Sequence, residues 1–341
     1  MPQTFAIPAW PYAYGGPCGQ GVIRSIPEDF VVRENLAFEP SGTGEHAFLQ
    51  LQKSGENTEY VARQLARFVG VRQRDVGYAG LKDRHALTTQ WFSVWLPGKP
   101  DPDWQGFASE TITVLQAIRH TRKLKRGVLS GNDFELSIRD WQGDKVRLAE
   151  QLAAIKSGGI ANYFGAQRFG LHGQNVNKAL ALFQGMRVKR EQRSLYLSAA
   201  RAYLFNQVLA QRVTLQNWNV PVAGDALIFD GGRGYFKADT IDAATAARVA
   251  ALDIHPSGVL WGSGVTDVSA AALAIEADVI GRFEALAQGL IASGMSAERR
   301  ALRVRVRNLA WHFSADDELK LRFALPAGSY ATALLREIIE L

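Results

Sequence analysis

The sequence predicts an α/β (α+β) fold, in which a mixed, largely antiparallel sheet with helices is interrupted by an inserted, mainly helical domain. Three observations carry this. Short period-two segments alternate with a few helical ones before about residue 160, and alanine-rich helical periodicity then runs from about Asn175 to Ser293. The strand pattern returns after Arg299-Arg300. A strand-rich beginning and end around a helical middle mark one domain placed within another. At 341 residues the chain is long for one domain and comfortable for two.

The elements follow in order. Asp29 to Glu34 reads as a strand, and Pro40 to Gly44 as a turn into a second strand, Glu45 to Lys53, with Ala47, Leu49 and Leu51 on one face. From Asn57 to Val69 the apolar period becomes helical, grouping Val61, Leu65, Phe68 and Val69, and Gly70 stops it. Thr88 to Leu96 is a nearly continuous apolar run closed by Pro97-Gly98, the pattern of a central buried strand. Strands Thr111 to Ala117 and Asp133 to Ile138 precede a helix from Lys145 to Lys156, ended by Gly158-Gly159. Helices are expected over Ser198 to Leu215 and Ser269 to Ala292, with a hairpin between them from Gly224 to Ala238. Strands Leu302 to Leu309 and Leu319 to Leu325 flank an Asp316-Asp317 turn, and a last helix follows Pro326 to Ser329, with Ser329 placed to cap it.

An apolar fraction of 47% with 21% charged residues suits a globular chain with a large core. No apolar run approaches the ~20 residues that span a bilayer, and the segment Met1 to Phe5 lacks the charged start of a signal peptide. The single cysteine, Cys18, excludes an intrachain disulfide and a multi-cysteine metal site. A cytoplasmic protein is expected, with no membrane partner. The net charge of +6 makes nucleic acid the first partner to consider, because basic groups release the counterions condensed on polyanions. Many basic proteins are merely soluble, so the distribution matters. One cluster runs from Arg119 to Arg126, and a second contains Arg187, Lys189, Arg190 and Arg193. A third, Arg303, Arg305 and Arg307, alternates with Leu302, Val304 and Val306, which predicts three guanidinium groups on one strand face. Three such groups fit an extended phosphate track.

Absent motifs narrow the chemistry. No P-loop and no Gly-x-Ser-x-Gly elbow occurs, and Gly19-Gln20-Gly21 lacks the third glycine and the preceding strand of a dinucleotide site. Six histidines are scattered without ligand-like spacing. An enzyme working without metal, nucleotide or other bound cofactor is expected, using a side chain as nucleophile or as acid and base.

Three polar, glycine-bearing segments stand where a core does not require them. Val76 to Gln90 contains Gly77, Gly80 and Lys82-Asp83-Arg84, and its glycines are expected to let the backbone turn sharply and present a side chain. Alone, such a triplet reads as a charged turn. Ala161 to Gly170 interleaves aromatics with Asn162, Gln167 and Arg168, which need partners if buried. Leu325 to Thr332 opens the last helix, whose N-terminus would attract phosphate or simply be capped.

Together these segments resemble the TruD family of tRNA pseudouridine synthases. Ala-Gly-x-Lys-Asp-x-x-Ala-x-Thr-x-Gln is complete from Ala79 to Gln90, and Asn-Tyr-Phe-Gly-x-Gln-Arg-Phe-Gly stands from Asn162 to Gly170. Pro-Glu-Asp-Phe at Pro27 to Phe30 and Leu-Pro-Ala-Gly-Ser-aromatic-Ala-Thr from Leu325 complete the series, in family order over nearly the whole chain. The resemblance implies a pseudouridine-synthase catalytic domain, residues 1–157 and 305–341, split by the family's inserted TRUD domain, residues 158–304. It also implies isomerisation of one tRNA uridine, position thirteen at the D-stem edge, to pseudouridine. The base is flipped out, its bond to ribose is broken, and it is rejoined through carbon without redox change. Asp83 would attack the substrate or assist a glycal intermediate, and a nearby cation would keep it ionised. If the segment is extended, Lys82 and Arg84 point elsewhere, so that cation comes from afar. Arg24 matches a position where the family often has lysine, keeping the charge with another geometry.

The resemblance also implies that Phe30, Asn132 and Tyr330 contact substrate. From its strand, Phe30 could equally be core. Asn132, after Gly131, reads as a loop position able to address a base edge. Tyr330, in the first turn behind Ser329, reads as a ring against a flipped nucleotide, for which the hydroxyl is dispensable, or as a plug in the helix–sheet core. The expected partner is tRNA and the expected state a monomer. Two rivals remain: a catalytically inactive tRNA-binding protein or RNA chaperone on the same fold, against which the intact Asp83 motif speaks, and an RNA methyltransferase, which lacks its glycine-rich cofactor loop here.

Overall fold

The computed structural model describes residues 5–125 and 127–340; Arg126, one member of the first basic cluster, lies outside the described residues, as do the first four residues and the last. Along the chain come β1 (Gly19–Ile23), β2 (Phe30–Leu36), β3 (His46–Lys53), α1 (Thr58–Phe68), β4 (Val76–Tyr78), β5 (Leu87–Trp95), β6 (Ile112–His120) and β7 (Leu129–Gly143). Next are α2 (Lys145–Gly158), β8 (Ile160–Ala161), α3 (Gln174–Phe183), α4 (Arg190–Thr214), β9 (Asp225–Phe229), β10 (Tyr235–Ala238), α5 (Ala243–Ala250) and β11 (Ile254–Leu260). The chain ends with α6 (Ala270–Arg282), α7 (Glu284–Ala292), β12 (Glu298–Ala301), β13 (Arg303–Val304), β14 (Arg307–Ala315), β15 (Glu318–Pro326) and α8 (Ala331–Ile338).

The chain divides into two compact units. One is built from Gly19–Gly143 and Arg307–Gly328. Its strands form a single sheet in the order β14-β15-β7-β2-β5-β3-β6, with β1 on β7 and β4 on β5. Among the described residues only β2 and β5 in this sheet pair in parallel. Helix α1 covers one face, setting Val61, Ala62 and Leu65 against Ala47, Leu49, Leu51, Phe92 and Val94. The alternation read in β3 therefore has its cause in that helix. Gly19 and Gly21, which begin like a nucleotide motif, both lie in β1: Gly19 pairs with Gly143 of β7, and Gly21 falls at the shift of register between Gln20 and Val22.

The second unit comprises Asp144–Val306 with the chain's two ends, up to Cys18 and from Ser329. The 25-residue α4 is its axis, burying Tyr196, Ala200, Tyr203, Leu204 and Leu209 in one apolar cluster. A four-stranded sheet, β10-β9-β11-β12, and the short β13-β8 pair complete it. The chain passes between the two units at 18/19, 143/144, 306/307 and 328/329. Helix α2 buries Leu148, Leu152 and Ile155, which groups it with this unit.

Two local expectations fail. Residues 302–309 are not one strand, and the arginine stripe is broken: Arg303 is 3% exposed, while Arg305 and Arg307 are exposed. The Arg303 guanidinium donates to the carbonyls of Asn219 (3.2 Å), Val249 (2.6 Å) and Ile254 (3.0 Å), and to His255 Nδ1 (3.0 Å). Its role is to satisfy buried acceptors, among them one in the last turn of α5. Burial pushes its guanidinium down to about 10. The last helix begins one residue late. Tyr330, extended at φ −119° and ψ 130°, takes the N-cap place instead of Ser329, and no side chain caps the helix. Tertiary contacts of the Tyr330 ring outweigh the local preference for serine.

Candidate active site

Segment Ala79–Ala86 links β4 to β5 and is held by bonds from its surroundings. Gln90 Nε2 donates to Gly80 O (2.7 Å), Lys82 N–H to Thr58 Oγ1 (3.0 Å), and Gly55 N–H to Arg84 O (2.9 Å). The glycines act differently from the sharp turning expected of them. Gly80 has no unusual φ and open space around its Cα. Gly77 is a close-approach position, since an added Cβ would meet Leu124 O at 2.5 Å and Ser93 Oγ at 2.7 Å. Tight packing of β4 on its neighbours sets where the loop starts.

At the loop's tip Asp83 uses both carboxylate oxygens. Oδ1 accepts the backbone N–H of His85 (3.0 Å), and Oδ2 lies 3.4 Å from Nη2 of Arg24. Arg24 follows β1 with φ +62°, a left-handed backbone uncommon for a side-chain-bearing residue. Its guanidinium lies over the Phe30 ring, 4.2 Å from the centroid, and its buried Nε–H has no hydrogen-bond partner among the described residues. Phe30 is 5% exposed and meets Phe134 edge-on at 6.4 Å, so its strand position is both core and the floor beneath Arg24. A second cation lies nearby: the Lys53 ammonium is buried, donates to Glu56 O (2.8 Å), and is pushed down to about 8 by burial, with Asp83 the largest opposing influence. Asp83 is thus a carboxylate set among cations. Its side chain remains 36% exposed, which leaves it open to a large substrate.

Phe30 is itself anchored by its neighbour. Asp29, 1% exposed, accepts from Arg139 through Nε (2.9 and 3.0 Å) and Nη2 (2.7 Å), and from Ile26 N–H (3.2 Å). The Arg139 bonds hold its carboxyl below the usual range. A lowered folded pKa stabilises fully above the unfolded value of about 3.9, and the stabilisation fades as pH falls through the folded value. Asp29→Asn should therefore lower the melting temperature at pH 7, and the gap to wild type should close below about pH 4. Paired melting curves check this; a gap that does not change with pH contradicts it.

Behind Asp83 lies a buried polar group that the sequence reading missed. Lys82 Nζ pairs with Glu34 Oε1 (3.1 Å) and also donates to Asn132 Oδ1. Glu34 further accepts from Trp91 N–H (3.0 Å) and Gln90 Nε2 (3.4 Å), and Thr58 Oγ1 donates to Gln90 Oε1 (2.9 Å). Burial pushes the Glu34 carboxyl up, opposed first by Lys82. The signal was present: Phe30, Val32 and Glu34 share the buried face of β2, so a carboxylate stands at a core position of the alternation. Asn132 is not on a loop. It lies within β7, opposite Glu34 on β2 and Leu325 on β15, because β7 extends back to Leu129. Arg24 thus touches two other sequence-named residues, Asp83 and Phe30, and Lys82 links Asn132 to the same loop. Among the described residues no three His, Cys, Asp or Glu side chains gather as a metal site, and no helix is long and apolar enough to cross a membrane.

The profile of tRNA pseudouridine synthase D (TruD) matches residues 8–182 and 172–338. The chain belongs to the TruD family. It is 52% identical over 332 residues to tRNA pseudouridine synthase D of Methylococcus capsulatus, covering 97% of this chain and 94% of that one. It is 50% identical over 333 residues to the Nitrosococcus oceani protein of the same name, covering 96% of this chain and 93% of that one. A solved structure from Methanosarcina mazei, assigned provisionally to TruD, superposes with a TM-score of 0.73 at 21% identity over 97% of this chain and 96% of that chain, which shows the shared fold.

The Asn162–Gly170 motif and the end of the last motif, from Ser329, lie in the second unit. Tyr330 is half-buried, its ring edge-on to Phe164 at 6.0 Å, and its hydroxyl accepts from Arg168 Nη2 (2.7 Å). The hydroxyl is therefore occupied by a bond within the protein. Arg168 also donates to Ser198 Oγ (3.1 Å), and Asn162 bridges Ala301 O (2.8 Å) and Arg300 Nη2 (2.6 Å). Asn162 thus ties the motif to Arg300 and Ala301, and Arg168 ties it to Ser198 and Tyr330.

The basic clusters divide by their surroundings. Arg119 is held by Asp101 (3.0 Å) and Lys99 O (2.8 Å), and Lys123 donates to Arg74 O. Arg122 and Lys125 are exposed, as are Arg187, Lys189, Arg190 and Arg193. Neutralising Arg122 and Lys125 together should flatten the salt dependence of tRNA binding, by about 0.7–0.9 in slope for each phosphate that is no longer neutralised. Binding isotherms across a salt series check this, and an unchanged slope would place the RNA track elsewhere.

Proposed function

We propose that the protein isomerises one uridine of tRNA to pseudouridine, at position thirteen beside the D stem, with Asp83 as the catalytic carboxylate. The observation that carries this reading is the contact of Arg24 with both Asp83 and Phe30, from three separate segments, at an accessible point of the sheet unit. The names of the relatives, tRNA pseudouridine synthase D, supply the substrate and product. The C1′–N1 bond breaks, the base turns, C1′–C5 forms, and a proton leaves C5 while N1 gains one. Atoms and electrons balance without a cofactor. Whether Asp83 adds to the substrate or takes the proton that yields a glycal, it acts ionised, and Arg24 and Lys53 supply the opposing charge.

A base inside folded RNA must be extruded before this chemistry. Phe30 under Arg24, and Asn132, would receive the base, and Tyr330 would contact the flipped nucleotide. Residues 158–304 would form the family's inserted TRUD domain, with residues 1–157 and 305–341 as the catalytic domain. We take the working unit to be a single cytoplasmic chain without nucleotide cofactor, and its net charge of +6 suits a polyanionic RNA substrate. Incubation of the purified protein with unmodified tRNA transcripts, followed by carbodiimide mapping, should reveal pseudouridine at a single uridine beside the D stem. Tight tRNA binding without any new pseudouridine would overturn the reading in favour of an inactive binder.

A further inference from the structure

Lys82 sits next to Asp83 in the chain yet turns away from it, into the buried group formed by Glu34 and Asn132. The residues Glu34 and Asn132 face each other across β2 and β7, and Lys82 Nζ reaches both. The Glu34 side chain is 0% exposed and that of Lys82 11%, so this bridge is inside the protein. An ammonium has three donors and no acceptor, and the atom of a carboxamide that faces it must be the oxygen. The orientation of the Asn132 amide, often ambiguous in a structure, is thus decided by its neighbour. Glu34, with one oxygen on Lys82 and the other on Trp91 N–H, holds the ammonium where it makes that decision.

We propose that Lys82, held by Glu34, is a positioning residue that keeps the Asn132 oxygen inward and commits its NH2 group to donate to a carbonyl oxygen of the target uracil. This rests on the reading of Asn132 as a substrate contact. Uracil carries two carbonyl acceptors on its ring, and a fixed donor matches either, whereas a carboxamide free to turn would present oxygen to oxygen for part of the time. The buried ion pair is thereby linked to base recognition, and Asp83 keeps Arg24 as its own cation.

The test compares single-turnover rates at saturating enzyme, tRNA Kd and melting temperature. Replacing Glu34→Gln and Lys82→Met together removes both charges, so that no buried ion is left without a partner. That double variant and Asn132→Ala should each slow the chemical step by about tenfold or more with tRNA Kd little changed. The triple variant should be no slower than Asn132→Ala, because residues acting through one contact are not additive. Rate losses that multiply in the triple variant would overturn the inference and make the pair a general support of the fold. Asn132→Asp provides a second arm if the double variant folds poorly. It keeps the bond to Lys82 but deletes the NH2 group, and should be as slow as Asn132→Ala; a wild-type rate would overturn the donor assignment. If Asn132→Ala itself turns over at the wild-type rate, Asn132 is no substrate contact, and the inference falls with that reading.

Discussion

Asp83→Asn should abolish pseudouridine formation while leaving tRNA affinity and melting temperature nearly unchanged. The substitution is close to isosteric, and the amide oxygen can still accept the His85 N–H that Oδ1 accepts now. It removes the charge that faces Arg24 and Lys53. The side chain is 36% exposed, so little packing depends on it. A loss of about 10³-fold or more, ~4 kcal/mol of barrier, is expected in single-turnover assays. Turnover retained within about tenfold would remove Asp83 from the catalytic role.

The next largest effect belongs to Arg24. It pairs with the Asp83 carboxylate and covers the Phe30 ring, and its Nε–H is buried without a partner among the described residues. Arg24→Ala removes the cation paired with the Asp83 carboxylate, and the loss of such an electrostatic partner is expected to cost about 10²-fold in rate. Arg24→Lys restores the charge without the planar fork and should recover activity to within about tenfold of wild type. Steady-state rates on saturating tRNA distinguish the cases. An alanine variant as fast as wild type, or a lysine variant no better than alanine, contradicts a charge-based role.

Much of the fold was legible from periodicity. The strands at β2, β3 and β5 and the helix α1 follow from apolar spacing because each buries one face or two against a neighbour. Periodicity fails where tertiary contacts decide. Arg303 reads as a surface residue in an alternating strip, but four acceptors around it draw it inside. Ser329 has the chemistry of an N-cap, and Tyr330 takes the place because Arg168 and Phe164 fix its ring. At the site, the motif around Asp83 was legible, whereas its surroundings were not. Which cation would reach Asp83 depends on the backbone of Arg24 at φ +62°, and Lys82 turns inward only because Glu34 is buried opposite Asn132. A carboxylate on the apolar face of a strand was the one sequence signal that could have revealed that arrangement.

The account is tested most directly by mapping pseudouridine in tRNA from a strain in which the gene for this chain has been deleted. Pseudouridine should be lost at one tRNA uridine, position thirteen beside the D stem, and should return when the wild-type chain is supplied but not when Asp83→Asn is supplied at equal abundance. Pseudouridine that persists at that site in the deletion strain, or that Asp83→Asn restores, would contradict it.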